Sequence, residues 1–207
     1  GGTASSPLAN PAATLAADVI EVSTEPAEGY LAILAAFKHG IARQADFAAL
    51  GALAEPYARP HADDAAFYAQ PRLVDHLDAT ARAQWRRLTG RFVRGDMAVL
   101  DLMASIDSHL PEDLHPLRLV GLGMNAAELE HNPRLTERII HDLNAEPRLP
   151  FEAGEFDVVL CALSIEYLVC PEAVLREAAR VLKPGDICMV SFSERWFPPK
   201  AVNPWPT

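Results

Sequence analysis

The sequence predicts an α/β fold in which helices cover both faces of a parallel sheet. Five segments between residues 98 and 193 are almost entirely apolar, as strands buried on both sides are: AVLDLM, RLVGLG, RIIHDL, FDVVLCA and DICMVSFS. Segments with helical periodicity separate them, most clearly NAAELEHN and PEAVLREAARVLKPG. This alternation favours a doubly wound sheet with right-handed crossovers.

The boundaries of these helices follow from local signals. Pro171 stands in the first turn of the last helix, and Pro184 with Gly185 ends it. Upstream, an amphipathic helix is predicted from about Asp78, with four arginines on a polar face that we interpret as solvated.

Residues 1–66 are predicted to form a partly helical N-terminal extension, and residues 67–207 the α/β domain. The β-branched segment 18–23 predicts a short strand. Apolar residues at helical spacing predict a helix over 26–41, and a second short helix is predicted between Asp46 and Pro56.

The composition limits the kinds of partner. A formal net charge of -10 over 207 residues argues against nucleic acid, which needs a basic face, and favours small-molecule or protein partners. No apolar run approaches the roughly 20 residues of a membrane span, so no membrane partner is expected. Three cysteines without a CxxC pair predict reduced thiols in a cytoplasmic protein. The chain starts with Gly-Gly, so an earlier leader segment stays open.

Residues 149–186, LPFEAGEFDVVLCALSIEYLVCPEAVLREAARVLKPGD, resemble the second half of class I S-adenosylmethionine-dependent methyltransferases of the type 11 kind. Upstream, FYAQPR, VLDLM followed by SHLP, and GLGMN resemble a subgroup with a glycine-poor first cofactor loop. The resemblance implies a Rossmann-like sheet and S-adenosyl-L-methionine as cofactor.

In that family the first strand ends in an acid, which orients the amino group of the cofactor and is followed by G-x-G-x-G. Asp101 matches the acid, whereas Met103, Ser105 and Asp107 occupy the glycine positions. Because glycine lacks Cβ and adopts positive φ easily, this loop is expected to follow another path or to leave less room.

The second strand of the family ends in an acid that binds both ribose hydroxyls, and Gly123 stands there in this chain. Asn125 either bonds the ribose instead or only caps the next helix. Met124 either packs on the adenine or belongs to the core. If Asn125 is a partial substitute, Gly123→Asp should tighten cofactor binding.

The resemblance assigns further cofactor contacts. Asp142 matches the acid that accepts a hydrogen bond from the adenine amino group, with Leu143 close to the ring; a plain turn aspartate is the alternative. Cys161 would lie below the sulfonium. Tyr68 and Arg72 lie in the segment FYAQPR, residues 67–72, which we call the lead-in. They either close over the carboxylate of the cofactor or pack the lead-in onto the core.

Glu166 and His109 are the two candidate catalytic residues, as base or substrate contact. The alternatives are a solvated acid early in a helix for Glu166 and an ordinary loop histidine for His109.

The predicted function is methylation of a small molecule. The alternatives are a non-catalytic binding or assembly module with the same fold and, less favoured, a nicotinamide-dependent oxidoreductase. The sequence lacks HExxH, CxxC, GxSxG and GxxxxGK, so no metal, hydrolase or NTPase site is predicted.

The segment after the fifth parallel strand departs from the family, whose chains continue into a pair of antiparallel strands. Here RWFPPKAVNPWPT follows, with four prolines that exclude a further regular element. The fifth strand would then be an unpaired edge. We expect it to be covered by the tail with Trp196 and Trp205, or by a second copy in a homodimer; 18–23 is a further pairing segment.

Overall fold

A computed structural model describes residues 18–27, 30–36, 57, 63–193, 197 and 199–202. The elements are β1 (Asp18–Ala27), β2 (Tyr30–Ala36), α1 (Asp64–Tyr68), α2 (Ala79–Thr89), β3 (Ala98–Leu102), β4 (Arg118–Gly123), α3 (Ala126–Glu130), β5 (Glu137–Ile140), β6 (Phe156–Ala162), a 3-10 helix (Ile165–Tyr167), α4 (Pro171–Val181) and β7 (Leu182–Ser193).

The predicted α/β fold is confirmed. Seven strands form one sheet in the order β1-β2-β7-β6-β3-β4-β5. The last five are parallel to one another and correspond to the five apolar segments. From β3 the chain moves to β4 and β5 on one side, then returns to β6 and β7 on the other. This reversal is where α/β sheets of this kind bind ligands, beyond the carboxyl ends of the strands.

Alternate residues of the parallel strands contribute to two separate cores. Leu100 faces a cluster that includes Val174 and Ala178 of α4. Its neighbour Val99 faces the other cluster, which includes Trp85 of α2. Both sides of the central strands β3, β4 and β6 are therefore buried, which explains why they carry apolar runs instead of alternating polarity, whereas the edge strand β5 is mostly exposed.

The helix predicted over 26–41 is wrong where the structure describes that segment. Residues 30–36 form β2, which pairs antiparallel with β7 from Tyr30 opposite Ser193 to Ala36 opposite Ile187. The run LAILAA is compatible with either element, and the free edge of β7 decides between them because it offers backbone partners. The strand predicted at 18–23 is present as β1, paired with β2. The second predicted helix, 46–56, lies outside the described residues.

The hairpin of β1 and β2 occupies the edge at which the family was expected to place its last two strands. The edge of β7 is thus paired within the chain. The argument for a homodimer from an uncovered edge therefore no longer holds. Trp196 and Trp205 lie outside the described residues.

Candidate functional site

A cavity of about 300 Å³ opens at the carboxyl ends of the parallel strands. Its wall takes Asp101 from β3, Gly123 from β4, Asp142 from just after β5 and Ala162 from β6, and Phe197 contributes from the C-terminal segment. This volume is at the lower end of the range for small-molecule sites. The position agrees with the rule for ligand sites of open α/β sheets.

The structure brings nearly all of the predicted site residues to this wall. His109 lines it, together with the predicted cofactor residues Tyr68, Arg72, Asp101, Met103, Ser105, Gly123, Met124, Asn125, Asp142 and Leu143. Two predicted residues lie outside the wall: Cys161 is 2% exposed beneath it, and Glu166 is fully buried in the 3-10 helix. Glu166 is therefore not the solvated acid that one interpretation expected.

Backbone strain concentrates at the cavity. Among the described residues, three that are not glycine have left-handed backbone: Met103 with φ 54°, His109 with φ 52° and Leu163 with φ 53°. All three line the cavity. A left-handed residue with a side chain costs roughly 1–2 kcal/mol, and such strain is typical of functional sites.

The loop after β3 keeps a glycine-like conformation without glycine, since Met103 itself is left-handed. The next residue, Ala104, donates its N–H to Leu122 O at 2.9 Å. A Cβ on Gly123 would lie 2.5 Å from the Ala104 carbonyl oxygen. Gly123 is thus needed for the close packing of this loop on β4. An acid there would displace the loop, so the expectation that Gly123→Asp tightens binding does not fit this packing.

Asp101 lines the cavity and has a buried carboxyl oxygen without a partner in the part of the chain that the structure describes. The residue is 3% exposed, and its Oδ2 has no hydrogen-bond partner among the described residues. Burial raises the pKa of Asp101 to about 7, although the Ser108 hydroxyl and the nearby His109 oppose this change. A cationic ligand group at Oδ2 would supply the missing partner, so Asp101 fits the amino group of the cofactor that the resemblance implies.

Glu128 was missed by the sequence analysis, yet it joins the loop after β3 to the lead-in. Its Oε2 accepts from the Ser105 hydroxyl at 2.7 Å and its Oε1 from the Arg72 backbone N–H at 2.7 Å. Asn125 caps α3 by accepting from Glu128 N, and its amide donates to Tyr68 O at 2.8 Å. The cap role of Asn125 is thus observed. A glutamate three residues after an N-cap was the available sequence signal.

The Asp142 side chain stabilises the turn that follows it by accepting hydrogen bonds from two backbone amides of that turn. Its Oδ1 accepts from the backbone N–H of Asn144 at 2.9 Å and of Ala145 at 3.3 Å. The Asn144 side chain in turn donates to Asp64 Oδ2 at 2.8 Å and accepts from the Val169 N–H at 2.8 Å. The turn role is therefore observed, and it holds Asp142 rigidly on the cavity wall.

The C-terminal segment folds over the cavity. Lys200 is fully buried and its Nζ donates to Asp64 Oδ1 at 2.8 Å and to Asp63 O at 2.6 Å. The Phe197 ring lies 5.7 Å from that of Phe67 and 5.8 Å from that of Tyr167, measured between centroids. This segment, distant in sequence, completes the site by tertiary contacts.

Arg72 is held among aromatic rings. Its guanidinium carbon lies 4.2 Å from the centroid of the Phe67 ring and 5.3 Å from that of Phe197. Its Nη2 donates to Phe67 O at 3.1 Å, near the carboxyl end of α1. The predicted packing role of Arg72 is thus observed, and its position on the wall leaves a ligand contact open.

His109 sits against an aspartate at the rim of the cavity. It is 9% exposed, its Nδ1 lies 3.2 Å from Asp107 Oδ2, and its backbone N–H donates to Asp107 Oδ1 at 2.8 Å. Burial alone would raise the pKa of Asp107, but hydrogen bonds from His109 and Arg86 hold that pKa well below its usual range. Asp107 is therefore an ionised carboxylate beside the imidazole, although His109 Nδ1 itself makes no aligned hydrogen bond in the described residues.

A candidate metal centre and a membrane-spanning helix are both absent from the part of the chain that the structure describes. No group of three or more His, Cys, Asp or Glu residues there is arranged to hold a metal ion. In the same residues, no helix has the length and apolar character needed to cross a membrane.

Comparisons with known proteins point to one kind of domain. Residues 108–190 match a family model described as a methyltransferase domain. A mitochondrial 2-methoxy-6-polyprenyl-1,4-benzoquinol methylase of Caenorhabditis elegans is 35% identical over 77 residues, covering 37% of this chain and 27% of that protein. The match thus spans about a quarter of that relative.

Two solved structures are similar to this one. The [4+2]-cyclase SpnF is 20% identical, with 63% of this chain and 51% of that chain covered and a TM-score of 0.47. The PH0226 protein from Pyrococcus horikoshii OT3 is 20% identical, with 62% and 66% covered and a TM-score of 0.46. The parallel sheet, the cavity at its carboxyl end and the match over residues 108–190 agree that this part of the chain is similar to a methyltransferase domain.

Proposed function

We propose that the protein is an S-adenosylmethionine-dependent methyltransferase that acts on a small molecule. The observation that carries the proposal is Asp101: a buried acid at the end of the first parallel strand that lines the cavity, with no hydrogen-bond partner for its Oδ2 in the described residues. An unpartnered buried acid is costly unless a cation completes it, and the amino group of the cofactor is such a cation. The match over residues 108–190 supports the same reading.

Other residues of the cavity wall would each contact a different part of the cofactor. Asp142, fixed by its turn, would accept from the adenine amino group, and Leu143 would lie against the ring. Met103 and Met124 would border the methionyl and adenine parts, and Arg72 has donors left for the carboxylate. Asn125 already bonds the lead-in, so it would contact the ribose only by its edge.

When bound, the cofactor supplies a methyl group on a sulfonium, which is an electrophile. The chain then mainly has to orient the acceptor and exclude water, and positioning of this kind accounts for much of the rate of such reactions. Lead-in residues and Phe197 would provide the dry cover. Of the two candidate bases, His109 lies on the cavity wall, whereas Glu166 is fully buried outside it and does not reach an acceptor there.

Calorimetric titration with S-adenosylmethionine, and separately with NAD, tests the proposal. We expect binding of the first alone. Asp142→Ala should weaken it by about 1 to 3 kcal/mol, the cost of a lost buried hydrogen bond, whereas Asp113→Ala, at an exposed loop position, should not change it. Absence of S-adenosylmethionine binding would favour the non-catalytic module, and equal affinity of Asp142→Ala would move the adenine elsewhere.

A further inference from the structure

His109 is held by contacts with Asp107 and with α2. Besides Asp107, Thr89 of α2 donates its hydroxyl to the His109 carbonyl oxygen at 3.2 Å in a buried contact. Arg86, one turn earlier on α2, donates from Nη2 to Asp107 Oδ2 at 3.0 Å. The imidazole, the carboxylate and the guanidinium therefore form a row that ends on a helix, with the imidazole at the cavity.

This arrangement is kept at a cost. His109 has a left-handed backbone, φ 52°, which costs a residue with a side chain roughly 1–2 kcal/mol. Strain that surrounding contacts enforce on a cavity residue favours a functional orientation over a structural one.

The row also determines which ring nitrogen of His109 is free. His109 Nδ1 lies 3.2 Å from Asp107 Oδ2 without the alignment of a hydrogen bond. The negative charge of that carboxylate still favours the neutral imidazole with its proton on Nδ1, which leaves a lone pair on Nε2. The other titratable groups that face His109 are His76 and Asp101, both on the cavity wall. Burial lowers the pKa of His76, so its imidazole adds no positive charge beside His109 at neutral pH.

The wall on this side is aromatic. Phe197 lies 5.8 Å from Tyr167, with the rings tilted by 31°, and 5.9 Å from His76, which meets it edge-on. All three line the cavity, as does Tyr68. Aromatic rings around a narrow space favour a planar ring as ligand.

We propose that His109 is the general base for a phenolic hydroxyl acceptor, with Asp107 and Arg86 as positioning residues that fix its tautomer and orientation. This inference rests on the proposed methyltransferase function. The O–H bond of the acceptor breaks and its proton goes to Nε2; the oxygen forms the new bond to the methyl carbon, and the electron pair of the broken carbon–sulfur bond stays on the sulfur of the sulfonium donor. The products are an aryl methyl ether, a thioether and an imidazolium.

Nitrogen-15 NMR of the side-chain imidazoles tests the positioning without any acceptor. We expect neutral His109 to carry its proton on Nδ1, the less common form for a free histidine. In Asp107→Asn this preference should be lost, and in Arg86→Gln it should weaken. A proton on Nε2 of His109 in the unmodified protein would overturn the arrangement, even if all variants fold.

Methyl transfer to two acceptors then tests the chemistry. With phenol, which is un-ionised at pH 8, His109→Gln should lower the rate about 10²- to 10⁴-fold, the usual contribution of a general base. With 4-nitrophenol, which is largely ionised at this pH, the same variant should lose less than about tenfold, because little proton transfer remains to be catalysed. His115→Gln, at an exposed position on the same connection, is the matched control and should match the unmodified protein with both.

The outcomes separate this inference from the proposed function. If S-adenosylmethionine does not bind, the proposed function fails. If it binds but neither phenol is methylated, or if only an amine is, the acceptor class fails while the function stands. Equal losses with both phenols in His109→Gln would overturn the role of His109 as base.

Discussion

Glu166 allows a sharp test of how buried charge limits the stability of this protein. Its side chain is fully buried in the 3-10 helix after β6, and neither carboxylate oxygen has a hydrogen-bond partner in the described part of the chain. Burial raises the pKa of Glu166 to about 7, with only its own backbone N–H opposing the change. Glu166→Gln replaces this carboxyl by a neutral group of nearly the same shape.

The pH dependence follows from the two states of the chain. In the unfolded chain Glu166 ionises near its ordinary pKa of 4.5, whereas the folded protein keeps the proton to about pH 7. Raising the pH from 4 to 7 therefore stabilises the unfolded state, and stability is lost progressively over that range, with no further loss above it. One pKa step corresponds to about 1.4 kcal/mol, so the full loss is about 3 kcal/mol. Glu166→Gln does not show this loss of stability, because a glutamine side chain does not ionise.

Urea unfolding at pH 4 and at pH 8 measures this effect. We expect Glu166→Gln to be about as stable as the unmodified protein at pH 4 and up to about 3 kcal/mol more stable at pH 8, with the same slope against urea. Glu130→Gln, at an exposed position at the end of α3, should change neither value. An equal free-energy difference at both pH values would show that Glu166 does not hold a proton in the folded protein, and the reasoning would be refuted.

Three further outcomes are expected. Because burial raises the pKa of Asp101 to about 7, S-adenosylmethionine should release up to about one proton on binding at pH 6, seen as a buffer-dependent heat in calorimetry; no release would place its amino group elsewhere. Gly123→Asp should destabilise the fold by about 1–3 kcal/mol in urea unfolding, since its Cβ would meet Ala104 O at 2.5 Å, and tighter cofactor binding in this variant would contradict that packing. Lys200→Met leaves Asp64 without its buried cation and should cost about 3–5 kcal/mol in thermal or urea unfolding, whereas an effect below 1 kcal/mol would mean that the pair is hydrated.

The parallel sheet was predictable because its sequence signals are local and strong. Four of the five strands contain a buried apolar run, whereas β5 is short and mostly exposed. The N-terminal ends of two helices lie where the sequence predicts them: Asp78 accepts from Ala81 N at the start of α2, and Pro171 begins α4. The carboxyl ends of those strands then determine where a cavity forms. Asp101 and Asp142, which the family resemblance singled out, both line this cavity.

β2 could not be predicted, because its conformation depends on a strand more than 150 residues away. The apolar run 31–36 fits a helix by spacing and a strand by composition. The register of Tyr30 opposite Ser193 supplies backbone hydrogen bonds that no local pattern encodes. Contacts of this kind routinely override local propensity.

The contribution of the C-terminal segment to the site could not be predicted from the sequence for the same reason. Phe197 and Lys200 lie in a proline-rich segment that offers no periodicity, yet Lys200 is fully buried against Asp64, 136 residues away. A lysine is almost never fully buried unless it is paired. The pair is visible only when α1 and the C-terminal segment are folded against each other.

Two features hold the glycine-poor loop after β3 in position: the left-handed backbone of Met103 and the contact of Ser105 with Glu128. The second feature also connects the loop to the lead-in. Met103 adopts the left-handed conformation that a glycine would take, at the cost of strain. Ser105 then donates to Glu128 Oε2, while Glu128 Oε1 accepts from the backbone of Arg72. Because one carboxylate holds both segments, a ligand that moves the loop must also move the lead-in. We therefore expect the loop after β3 and the lead-in to move together when a ligand binds in the cavity.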